Sequence, residues 1–86
     1  MNASEMALLR TKLREVNIEY SAQVRMQAGE GRFARMGELR VERQALMALI
    51  AQARGETRER PRIPPALAPL KAAIQYAVGH GLARST

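Results

Sequence analysis

The chain of 86 residues predicts a mainly α fold, becoming α+β if a short β-hairpin forms between its two long helices. Three observations predict it. Apolar residues recur at helical steps over residues 3–21 and again over 36–54, and a segment with two glycines, Ala28-Gly29-Glu30-Gly31, separates the two runs. The expected organisation is a helix–hairpin–helix domain over 1–55, an Arg/Pro-rich connector over 56–65, and a C-terminal docking helix with a tail over 66–86.

The first helix opens on Asn2 or Ser4 as a cap, with Glu5 three residues after Asn2 in the spacing of a capping box. Met6, Leu9, Leu13, Val16 and Tyr20 follow at steps of three and four, so they share one stripe and form the first half of the candidate core. From Gln23 to Gln27 polar and apolar residues alternate as in a half-buried strand. With Arg32-Phe33-Ala34-Arg35 as the returning strand, a hairpin would be plugged by Phe33; the alternative is a glycine linker between two helices. The second helix, Met36 to Arg54, contributes Leu39, Leu46, Leu49 and Ile50 to the core, and Gly55 stops it as a C′ glycine. Two striped helices joined by a short reversal pack antiparallel.

Beyond Gly55 the chain is charged and then proline-rich. Each residue before a proline is pushed out of the α region, so Ile63-Pro64-Pro65 reads as an extended connector. Pro69 suits the first turn of a third helix, Leu70 to Val78, ended by Gly79 and Gly81. Its Leu70, Ile74, Tyr76 and Val78 form a narrow apolar face for a partner, including a neighbouring copy, or for the chain's own helix pair.

Fourteen basic residues against eight acidic ones give a net charge of +6, and twelve of the fourteen are arginine. That balance points to an anionic neighbour, and arginine's planar fork suits phosphates, carboxylates and interfaces. Candidate contacts to a DNA channel or an acidic partner are Arg25, Arg32 and Arg35 around the hairpin and Arg58, Arg60 and Arg62 on the connector. With only Phe33, Tyr20 and Tyr76 as aromatics, a base-stacking platform is not expected. The chain has no cysteine, no aspartate and one histidine, His80, set between two glycines. No metal site, cofactor site or catalytic residue is therefore expected, and the protein is read as a binding protein, not an enzyme. The acid pairs Glu15/Glu19 and Glu38/Glu42 read as solvated helix faces. Neither a signal peptide nor a membrane span is expected from the apolar runs.

The order of helix, glycine turn, helix and Arg-rich tail resembles the head-completion protein W family of lambda-type tailed phages and related short head–tail connector proteins. The resemblance covers about residues 5 to 54 and rests on Leu9 and Leu13, Val24-Arg25-Met26-Gln27, Gly29-Glu30-Gly31-Arg32-Phe33, Glu38-Leu39, Leu46, Leu49 and Ile50. It implies a homo-oligomeric ring below the portal protein that surrounds the DNA channel and offers a platform to the next neck or tail protein. Non-specific contact with packaged DNA, no membrane, synthesis in the host cytoplasm and a final place at the head–tail junction of the virion follow from the same likeness. Residues 61–86 depart from it, being longer and more helical than a short basic tail. The alternatives to that leading reading are a small non-specific nucleic-acid-binding accessory protein and a helical protein-interaction module.

Overall fold

The computed structural model describes the backbone of residues 2–26 and 31–84 and the side chains of 3–26 and 31–79. Three helices follow in order: α1 over Asn2–Arg25, α2 over Arg32–Ala53 and α3 over Lys71–Arg84, the last preceded by a 3₁₀ turn at Pro65–Leu70. Among the described residues there is no strand, so the mainly α class stands without the hairpin.

Residues 23–25 continue α1, and the Met26 amide still donates to the Ala22 carbonyl at 3.1 Å. Residues 32–35 are the first turn of α2, with the Arg35 amide bonded to the Gly31 carbonyl at 3.0 Å. Extending an existing helix adds one hydrogen bond for each residue ordered, whereas a five-residue strand must begin a new element. Gln, Arg, Met and Ala are also good helix formers. The centre of the expected hairpin, residues 27–30, lies outside the described residues. Phe33 is not a plug: it is 71% exposed. Six residues before Leu39, it lies about 120° round the helix from it, well off the core stripe.

The core follows the remaining expectation closely. Leu9 and Val16 from α1 meet Leu39, Leu46, Leu49 and Ile50 from α2 as buried residues, with Met6, Leu13 and Tyr20 half-buried at the edge. Each buried Leu or Ile contributes about 1.5–3 kcal/mol from apolar area removed from water. Gly55 ends α2 with φ of 77°, and two bonds complete the stop: the Gly55 amide to the Gln52 carbonyl and the Glu56 amide to the Ala51 carbonyl, both 2.9 Å. This is a Schellman motif, which satisfies carbonyls the helix end leaves open.

From that stop the connector turns back along α2. Arg60 and Arg62 share a groove with Val41, Gln44 and Ala48, and Pro64 to Ala66 lie beside Glu38 and Glu42. The chain then enters the 3₁₀ turn, whose Leu67 is fully buried, and α3, whose Ala73 and Ala77 are fully buried one turn apart. Small side chains let α3 approach the hairpin closely, and Leu70, Ile74, Tyr76 and Val78 pack half-buried against the same core. Of the two placements open to the third helix, the chain takes the fold-back one. Residues 67–78 thus pack as part of the bundle, not as a separate docking arm. Gly79 and Gly81 do not end α3, which runs to Arg84.

Candidate polyanion-binding face

Packing the 3₁₀ turn and α3 against one side of the α1–α2 hairpin, with the connector crossing α2 beside Gln44 and Met47, divides the hairpin into a closed flank and an open one. The two flanks differ in charge.

On the closed flank, Arg35 of α2 is held by three carboxylates. Its guanidinium donates to both oxygens of Glu19 on α1, with Nη2 at 2.8 Å from Oε1. It also donates to Glu38 at 2.9 Å, and its Nη1 lies 3.5 Å from Glu42 Oε2. Glu42 is only 2% exposed, so the pair Glu38/Glu42 is not a wholly solvated face. An isolated charge at that depth is costly, and the nearby guanidinium is what makes it tolerable. The Arg35 hydrogen bond holds the Glu19 carboxyl below the usual carboxylate range, aided by the positive charges of Arg35 and Lys12 and opposed by partial desolvation. Hydrogen bonds to Glu19 and then Glu38 hold Arg35 more firmly protonated than usual.

The open flank is lined by α1 and α2, with Glu56 at one end and no α3 residue. On α1, Arg10, Arg14, Asn17, Ser21 and Arg25 follow one another at steps of four, three, four and four. On α2, Arg40, Arg43, Met47, Ile50 and Arg54 repeat at three and four. Each set is therefore one stripe. Arg10, Arg14, Arg25, Arg40 and Arg43 are all exposed. Arg40 donates to the Tyr20 hydroxyl from Nε and Nη2, each at 3.3 Å, and its guanidinium carbon sits 5.9 Å from the Tyr20 ring centroid. Leu13 and Met47 line the seam between the rows, and the only carboxylate in these grooves is Glu56, next to Arg54.

Of the six arginines expected to make contacts, only Arg25 lies on this face. Arg35 is engaged by carboxylates. Arg32 donates to the Val24 carbonyl at 3.3 Å and stands 5.4 Å from the Phe33 ring, tying the start of α2 to the end of α1. Arg58, Arg60 and Arg62 are exposed on the connector, where Arg60 and Arg62 share their groove with Glu59. Arg10, Arg14, Arg40 and Arg43 were missed because grouping arginines by closeness in sequence overlooks those brought together by helical steps.

Among the described residues no group of three His, Asp or Glu side chains is placed to hold a metal ion, and no helix is long and apolar enough to cross a membrane. Comparison of the chain with protein-family models, curated proteins and solved structures finds no match in any of the three.

Proposed function

We propose that this chain is a non-catalytic docking protein that holds a polyanion against the open flank of its helical hairpin. The observation that carries this function is the segregation of charge: five exposed arginines, besides Arg54 next to Glu56, gather on one flank, and Glu19, Glu38 and Glu42 gather round Arg35 on the other. Arg10 and Arg14 are four residues apart and Arg40 and Arg43 three apart, spacings at which like charges destabilise a helix by about 0.2–0.5 kcal/mol per pair. An anionic partner removes that cost and gains charge-assisted hydrogen bonds to the guanidinium forks. The test is binding of mixed-sequence nucleic acid at low salt by the wild-type chain and by Arg14→Glu/Arg43→Glu. Salt-sensitive binding that the double reversal weakens by at least about tenfold is expected, because phosphate contacts release counterions. Negligible wild-type affinity at low salt ends the proposal.

A head–tail connector is the same docking activity at a named address, and one observation supports it. Val24, Met26 and Phe33, close to the α1–α2 reversal, are 50%, 57% and 71% exposed. Three large apolar side chains at one end of a bundle measuring 48 × 22 × 19 Å are suited to burial by a neighbouring copy or a portal subunit. Native mass measurement with and without portal protein tests this address; a chain that stays monomeric and unbound with the portal present removes it.

A further inference from the structure

Resting on the polyanion proposal, we infer that the partner of the open flank is duplex nucleic acid, contacted along its phosphate rims and not inside a groove. The shape of the face favours a duplex. The face is built from two adjacent helices, each about 10 Å across with side chains, so it is about 20 Å wide. A major groove about 12 Å wide admits one helix, not two side by side. The hairpin therefore lies on the outside of a duplex, where it meets phosphates and carries no means of reading bases.

The spacing of its charges does so too. From Arg10 to Arg25 the α1 row runs about 22 Å at 1.5 Å per residue. That length matches about six base pairs at 3.4 Å each. The α2 row lies alongside at an axis separation of about 8–10 Å. With arginine arms reaching outward from both rows, the two lines of charge span the distance between the rims of a groove about 6–12 Å wide. A duplex offers two phosphate lines at such a separation; a single strand offers one.

Stacking surface on the face is also scarce. Single strands are held by aromatic side chains on which bases stack. Tyr20 is half-buried and already covered by Arg40, and Phe33, one heptad before Arg40 on the same stripe of α2, is a lone exposed ring at the reversal with Arg32 beside it. A single strand would find charge along the whole face but only one free ring at its end, not the succession of rings on which successive bases stack.

The experiment measures anisotropy binding of the full chain to short mixed-sequence duplex DNA, duplex RNA and a single strand of equal length, with phosphatidylserine vesicles followed by sedimentation. Either duplex is expected to bind at least about tenfold more tightly than the single strand. The slope of log affinity against log salt should be about −4.5, from five phosphate contacts at about −0.9 each. G·C-rich and A·T-rich duplexes should agree within about threefold, as backbone contact requires. Arg14→Gln/Arg43→Gln should lower the slope's magnitude by about two while leaving the helical circular dichroism unchanged. Equal or tighter single-strand binding, a strong base-composition preference, or tighter vesicle binding overturns the duplex assignment alone. Absence of binding to every anion at low salt overturns the polyanion proposal with it.

Discussion

The two flanks of the hairpin use the same helical steps and opposite chemistry. On the closed flank one arginine serves three carboxylates, one of them buried beside Pro64 and Pro65. On the open flank five arginines stand in two rows that Arg54 extends, and Glu56 next to Arg54 is the sole carboxylate in the grooves. Charges on the closed flank are satisfied within the chain, so their removal is felt as stability. Those on the open flank are mostly turned outward, so their removal is felt in binding. The difference teaches that a net charge of +6 says little about a contact surface until the arginines already engaged are set aside.

The largest effect that separates the flanks is expected from Arg35→Ala. It leaves Glu42 buried without its nearest counter-charge and should cost about 1–3 kcal/mol in denaturant unfolding, the penalty of an unsatisfied buried group. Solvent reaching the half-exposed Arg35 keeps the cost below that of a fully buried pair. Arg14→Ala on the open flank should change stability by no more than about 0.5 kcal/mol. Equal losses from the two would erase the distinction. Adding Glu42→Gln to Arg35→Ala should recover part of the loss, since the stranded charge is then gone.

A smaller effect comes from acid. The folded Glu19 carboxyl is depressed relative to its unfolded state, so its stabilisation is fully present above the unfolded value, near pH 4.5, and is lost as pH falls through the folded value. Thermal melts of the wild type and Glu19→Gln should therefore converge as pH drops below that point. A constant gap between them would mean that the Arg35–Glu19 pair does not anchor the closed flank. Arginine stays protonated throughout, so the open flank keeps its charge over the same range.

The smallest effect belongs to neither flank. Gly37 is exposed within α2, and a Cβ built there meets nothing within 4 Å. Gly37→Ala should raise stability by about 0.5–1 kcal/mol through helix propensity alone, leaving nucleic-acid affinity unchanged. A change in affinity would show that backbone stiffness in α2, and not only the pattern of charge, governs the open face.

Much of this fold was legible in the sequence because Leu39, Leu46, Leu49 and Ile50 are large residues at clean helical steps, and because Gly55 follows them where a left-handed residue is needed. The hairpin misled because an alternation of five residues is short enough to sit on a helix as well. Ala73 and Ala77 went unnoticed as core because small side chains carry little hydrophobic signal, although close helix approach requires them. Burial of Glu42 was hidden for a different reason: an acid enters a core only with its counter-charge, and nothing in the sequence pairs Arg35 with Glu42 ahead of a DNA channel or acidic partner. The arginine rows were legible in principle, by reading Arg10, Arg14 and Arg25, then Arg40 and Arg43, as positions on helices instead of clusters along the chain.

The Arg40–Tyr20 contact also gives the molecule an internal optical reporter. With no tryptophan in the chain, its near-ultraviolet emission comes from two tyrosines, one at the open seam and one, Tyr76, against the core on α3. Replacing Tyr76 by Phe would leave the seam tyrosine as the sole emitter. A ligand that draws the guanidinium of Arg40 away from its ring would then change the emission directly, without an attached dye.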